Sequence, residues 1–413
     1  MNINSYKSLF YLVFMIKCKV FVFFIVFLAL ASFVSSGAIS QSTRVNANYV
    51  STPPVMANQV CDFSQDTKII NASGPLNVFV GDRYILYNDG FGLTDYKIYD
   101  MGKDEVPNTP DDLGFVSYTL YYDGLKSNSK LKDVLSLRGV TQDFVFGISP
   151  KYAKYNQGII CNITSFNSNI LLDCFTFENT TSSILDVDLA DDESVLSWVN
   201  DNGTVSVNWC YIGSVGYRGC FNNSYRSFPN LPYPYNTQNP ILVQATYNNV
   251  YLEVVDVRNV LNWFYRVEIF NLLTQKYNTF NDEAVSGKEI MIRDTDIISG
   301  VGTDFYFYPD MGWINVGIIN KGNPIARVPV FDATSFSSVN YIRAFYESNR
   351  LSFVASDMNS PNSFVFGSWK GRDFRFLPPQ NKNSLFSVLR INKNMIYFFD
   401  SVSNKLYFSK CYP

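Results

Sequence analysis

From about residue 76 to its end the chain is a succession of short runs of Val, Ile, Phe, Tyr and Trp, each broken by turn residues. The clearest stretch lies in residues 341–377, where YIRAFY, RLSFVAS, NSFVFGSW and RDFRFL are separated by ESN, DMNSP and KG. β-Branched and aromatic runs punctuated by Gly, Asn, Asp and Ser form consecutive antiparallel strands. The same rhythm recurs upstream, with NDNG (residues 200–203) as a strong hairpin turn. Units begin near Leu76, Leu135, Leu185, Ile241, Asp296, Tyr341 and Leu385. About four strands every 40 to 55 residues, alike in pattern and not in letters, is the mark of a β-propeller. The expected fold is therefore all-β, a single propeller of seven four-stranded blades, or six if two weak units merge. No 3.6-residue periodicity long enough for a helix is visible.

The last unit, starting at Leu385, carries only three strand runs. An orphan run, VCDFSQDTKII (residues 60–70), lies before the first unit. Pairing the two chain ends would complete the last blade and remove an exposed edge. Cys61 and Cys411 lie across that junction and are expected to form a disulfide. The other two pairs are local. Folding GIICNITSFNSNILLDCFTF about its centre sets Cys161 opposite Cys174, and Cys210 and Cys220 flank a short connection.

The compartment is written at the N-terminus. Lys17 and Lys19 precede the apolar run VFVFFIVFLALASFV (residues 20–34), and small residues follow it. That is a secretory signal peptide, or a signal-anchor if it is retained. Residues 1–36 are assigned to this segment, 37–58 to a polar linker and 59–413 to the propeller. Six cysteines after the apolar run suit an oxidising compartment. Sequons at Asn71, Asn162, Asn179, Asn202 and Asn222 are candidate glycosylation sites. The expected location is the cell surface or the extracellular space, with membrane contact only through the apolar segment.

Chemistry is restricted by the absence of histidine. Ser-His-Asp and Cys-His nucleophilic sites, His-ligated metals and a His base are excluded. No C-x-x-C pair exists, and a net charge of -3 gives no footprint for nucleic acid. The densest polar group is Asp100, Asp104, Glu105, Asp111 and Asp112. Carboxylates so spaced on a loop are Ca²⁺ ligands by type, and Asp100, Asp104, Asp111 and Asp112 are the candidate set. No other cofactor is expected. A second acidic run, Asp186, Asp188, Asp191, Asp192 and Glu193, can line a channel mouth. Trp263, Phe264, Tyr265, Tyr306 and Tyr308 can stack on sugars or pack between blades, and Arg343, Arg350, Arg372, Arg375 and Arg390 can bind anions or solvate strand edges.

GDRYILYNDG (residues 81–90) followed by DYKIYDMG (residues 95–102) resembles the TolB-like and WD-like repeats of exported propellers. The next stretch, YDMGKDEVPNTPDDLG (residues 99–114), looks like an acidic loop of archaeal secreted propellers, in which Y-D-x-G-x-D-G leads to G-T-x-D-D-x-G. Glu105 and Asn108 stand where that pattern has its internal glycines. The resemblance implies a fold and no reaction. The functional expectation is a monomeric, non-catalytic exported propeller that binds a protein or glycan. The alternative is a carbohydrate-active glycosidase or lyase working through carboxylates and Tyr.

Overall fold

The computed structural model describes residues 67–410 with interruptions between elements, the longest at 229–240 and 286–295. The assignments made to residues 1–58, and the pairing of Cys61 with Cys411, lie outside the described residues. Among the described residues no helix is long and apolar enough to cross a membrane.

Most of the described residues lie in strands. Unit 1 holds β2 (Val78–Val80), β3 (Tyr84–Tyr87), β4 (Lys97–Asp100) and β5 (Gly114–Tyr122). After the short β6 (Leu125–Ser127) and a four-residue helix, α1 (Leu131–Val134), unit 2 holds β7 (Ser136–Val140), β8 (Phe144–Ile148), β9 (Gly158–Phe166) and β10 (Asn169–Phe177). Unit 3 holds β11 (Ser183–Leu189), β12 (Val195–Asp201), β13 (Val205–Tyr211) and β14 (Arg226–Phe228). Unit 4 holds β15 (Ile241–Ala245), β16 (Asn249–Asn259), β17 (Asn262–Asn271) and β18 (Tyr277–Val285). Unit 5 holds β19 (Asp296–Ser299), β20 (Thr303–Asp310), β21 (Trp313–Asn320) and β22 (Asn323–Asp332). Unit 6 holds β23 (Val339–Glu347), β24 (Arg350–Asp357), β25 (Ser363–Lys370) and β26 (Asp373–Asn381). The last unit combines β27 (Phe386–Asn392), β28 (Met395–Asp400) and β29 (Lys405–Lys410) with β1 (Thr67–Asn71) from the other end.

Each unit is an antiparallel meander. Tight turns set its register: Asp123 and Gly124 both have positive φ between β5 and β6, as do Lys321 and Gly322 between β21 and β22. Two such residues in a row match the twist of a two-residue hairpin.

The core lies between the units. Phe307, Ile314 and Val316 of unit 5 pack on Ile342, Leu351 and Phe353 of unit 6. Tyr251 and Ile269 of unit 4 pack on Tyr306 and Tyr308 of unit 5. The second strand of a unit is covered on both faces, which explains its letters. β3 (YILY), β8 (FVFGI) and β28 (MIYFFD) are buried at every position, whereas the innermost β15 (ILVQA) alternates. Burial on both faces removes the reason to alternate.

The ends close the ring. β1 runs antiparallel to β29, with Thr67 opposite Phe408 and Asn71 opposite Lys405. Ile69, Ile70 and Ala72 thereby enter a core with Val78 and Val80 of unit 1 and Tyr397 and Phe399 of the last unit.

Units 1 and 2 depart from separate blades. β5 outruns the four-residue β4, and its excess, Ser117 to Tyr122, pairs in parallel with β10. The two meanders and β6 thus form one nine-stranded sheet. A long unpaired edge finds a partner this way.

Candidate functional site

The second acidic run sits on the innermost strand of unit 3, where its carboxylates are tied to neighbouring units. Asp186 and Asp188 are two residues apart on β11 and so share a face. Asp186 Oδ2 accepts the amide of Val243 at 3.0 Å, and Asp188 Oδ2 that of Ala245 at 2.7 Å. These amides belong to β15, the innermost strand of unit 4, and two carboxylates cover its free edge. On its other side Asp186 meets Arg138 of β7 at 3.2 Å. Burial raises the Asp186 carboxyl to about 6, against the pull of Arg138, and raises that of Asp188 well above the usual range. Glu193 accepts the amide of Asp143 at 2.7 Å. Asp191 and Asp192 are exposed in the β11–β12 turn.

The arginines follow the same logic. Arg343 of β23 donates to the Leu389 carbonyl of β27 at 3.2 Å. Arg390 of β27 donates to the Val80 carbonyl of β2 at 3.1 Å and pairs with Asp82 at 2.6 Å. These side chains link the innermost strands of successive units. Tyr306 and Tyr308 are buried and stack on each other, so they pack between units. The side chains of Trp263, Phe264, Tyr265, Arg350, Arg372 and Arg375 lie outside the described residues.

The acidic loop of unit 1 is reorganised relative to expectation. Asp100 leaves the candidate metal set: it is buried and takes a bidentate pair from Arg83, both distances 2.8 Å, plus the Gly102 amide at 2.9 Å. Asp104, Asp111 and Asp112 do come together, with one oxygen of each within 4.8 Å of the others. Their oxygens also accept bonds from the loop. Asp111 takes the amide of Lys103 at 2.7 Å and the Thr109 hydroxyl at 2.7 Å, and Asp112 takes the Asn108 amide at 2.6 Å and the Tyr99 hydroxyl at 2.7 Å. The Thr109 hydroxyl and the Lys103 amide hold the Asp111 carboxyl below its usual range. Glu105 and Asn108 have φ of 60° and 63°, the conformation glycine favours. Gly102 is required: a Cβ there would stand 2.5 Å from Asp111 Oδ2.

A groove not foreseen in the sequence runs beside this loop. β4 and β6 lie along the same edge of β5, β4 ending at Val116 and β6 beginning at Leu120. Between them is a cavity of about 760 Å³. Its lining includes Tyr87, Tyr96, Phe115 and Tyr118, with Lys97, Lys126 and Lys130 and one carboxylate, Asp95. Asp95 is engaged by the fold: it accepts the amides of Tyr96 at 2.9 Å and Lys132 at 3.1 Å, and the Tyr118 hydroxyl. The Tyr118 hydroxyl in turn accepts the Leu131 amide at 3.1 Å, and burial and Asp95 raise its pKa. The signal for this site was the DYK…LYYDGLK spacing, legible only once β5 is known to change partner.

Cys161 and Cys174 form a disulfide across a register pair of β9 and β10, and Cys210 and Cys220 form another. Disulfides of this kind belong to oxidising compartments. Asn71 is exposed and Asn162 half-buried, while Asn179, Asn202 and Asn222 lie outside the described residues.

No protein-family model matches the chain, and no curated protein matches it. Solved structures that resemble it include TolB from Acinetobacter baumannii, at 9% identity and a TM-score of 0.34, covering 81% of this chain and 78% of that one. Prolyl oligopeptidase B from Galerina marginata follows at 11% identity and a TM-score of 0.40, with 82% of this chain and 46% of that one covered. The acylaminoacyl peptidase of Pyrococcus horikoshii stands at 10% identity and a TM-score of 0.40, with 80% of this chain and 51% of that one covered. The chain thus spans about half the length of those two peptidases.

Proposed function

We propose that this protein is an exported, non-catalytic β-propeller that binds a protein or glycan ligand at the cell surface or outside the cell. The observation that carries this reading is where the acidic groups go. Asp186, Asp188, Asp100 and Glu193 each satisfy a backbone amide or an arginine within the fold. The groove, by contrast, offers aromatic faces and ammonium groups around one carboxylate that already accepts three donors. Hydrolysis of a glycosidic bond by the usual route needs two carboxyl groups facing each other across the bond. The groove's lining is that of a binding surface. Export is supported by the apolar N-terminal run and by the two disulfides.

The test is to immobilise the full chain on an array of defined glycans and extracellular proteins and to analyse each retained ligand by mass spectrometry. Ligands recovered unchanged are expected. Release of a cleaved ligand would replace this reading with the enzymatic one.

A further inference from the structure

We propose that the groove between β4 and β6 takes an anionic glycan, a chain of sugars bearing carboxylates of the uronic-acid kind. The inference rests on the binding reading above and names the ligand class for its site.

Three features select that class. The first is an exposed, fixed aromatic face. Phe115 is 62% exposed and lines the groove. Tyr99 meets it edge-on at 5.6 Å and Tyr87 lies at 6.1 Å, so the ring is held in place. A rigid aromatic face accepts the apolar C–H face of a sugar at little entropic cost. The second is local charge. The chain carries a net charge of -3, yet the groove's lining holds three lysines against one carboxylate. Lys126 and Lys130 are both exposed on the β6 side. A cleft with an excess of one charge raises the local concentration of the opposite ion. The third is neutral polarity: Ser127, Asn128 and Ser129 complete the wall with groups suited to hydroxyls, beside Ser117 and Thr119, whose hydroxyls bond the Asn169 side chain at 3.0 and 3.1 Å.

An acidic peptide fits less well. Peptides that add to a sheet edge draw their affinity from a run of main-chain hydrogen bonds. The open edge of β5 is confined to Ser117, Tyr118 and Thr119, between the last residue paired with β4 and the first paired with β6. That is shorter than an ordinary strand pairing of about five residues.

Calorimetric titration of the full chain tests this with three probes: an oligogalacturonate, an uncharged maltooligosaccharide of equal length, and an oligoglutamate of equal charge. The oligogalacturonate is expected to bind, and to bind more weakly as salt rises from about 50 to about 300 mM. The double substitution Lys126→Gln/Lys130→Gln is expected to weaken it about tenfold, as the loss of two exposed ion pairs would. Phe115→Ser is expected to weaken it further, and both variants should melt as the wild type does. Equal binding of the uncharged sugar, with no effect of the lysines, would overturn the anionic assignment and leave the binding reading intact. Preference for oligoglutamate would overturn the glycan. Failure of all three probes, or binding indifferent to Phe115→Ser, would overturn the site, while the array of defined ligands decides the broader reading separately.

Discussion

Asp304 joins units 4 and 5, and its removal should be costly. It is fully buried, and its Oδ2 accepts the Thr246 hydroxyl at 2.7 Å, the Asn249 side-chain amide at 2.5 Å and the Tyr251 hydroxyl at 2.7 Å. Thr246, Asn249 and Tyr251 belong to unit 4, and Asp304 is the second residue of β20 in unit 5. In Asp304→Ala the Thr246 hydroxyl can turn back to the Asn249 carbonyl, 3.2 Å away. Among the described residues the Asn249 amide keeps only the Tyr251 hydroxyl, 3.5 Å away, and the Tyr251 hydroxyl keeps no comparable acceptor. Two stranded buried donors at about 1–3 kcal/mol each, plus a small cavity, give a loss of about 4 kcal/mol. Asp304→Asn keeps the shape and one acceptor oxygen, so about 2 kcal/mol is expected. Tyr251→Phe removes a single donor and should cost about 1 kcal/mol. Urea unfolding gives the energies, and hydrogen exchange at residues 249–254 and 303–308 shows whether the joint opens. An Asp304→Ala variant within about 0.5 kcal/mol of wild type would refute the reasoning, since a surface change does no more.

Other consequences are as direct. The Asp186 carboxyl is raised to about 6 in the fold, so the native state holds its proton where the unfolded chain releases it. Its contribution is full below the unfolded pKa near 3.9 and is lost as pH rises through 6, so melting temperature should fall over that window and Asp186→Asn should flatten the slope. The limit for this group is about 3 kcal/mol. Millimolar Ca²⁺ is expected to raise the melting temperature through the oxygens of Asp104, Asp111 and Asp112, and Asp111→Asn should abolish the response. Removing the Cys161–Cys174 bridge, with a separation of 13 residues, should cost about 3 kcal/mol in urea unfolding.

Much of the fold is legible because the strand runs are local. Unit starts read near Leu185, Ile241, Asp296 and Leu385 correspond to strands beginning at Ser183, Ile241, Asp296 and Phe386. The described part of the orphan run, from Thr67 to Ile70, pairs with the last unit, and the strand continues to Asn71. The β5–β10 pairing is not legible, because a parallel contact between distant strands leaves no turn signal. The groove is not legible either, because it depends on where β4 and β6 stop along β5. Asp186 and Asp188 show by their spacing that they face one way; which strand edge they meet depends on the neighbouring unit. Asp100 looked like a metal ligand by proximity in sequence, but strand pairing sets it opposite Tyr84, next to Arg83.

Closure of the ring by the chain ends is the claim on which the rest depends, and a cross-link reads it most directly. Asn71 and Lys405 are register partners across β1 and β29, and Asn71 is exposed. The double variant Asn71→Cys/Lys405→Cys, oxidised in the native state and digested without reduction, should yield a peptide joining positions 71 and 405. A control pairing Asn71→Cys with Lys410→Cys, at the far end of β29, should yield none. Absence of the 71–405 link from native protein, or equal linking in the control, would contradict a ring closed by its own ends.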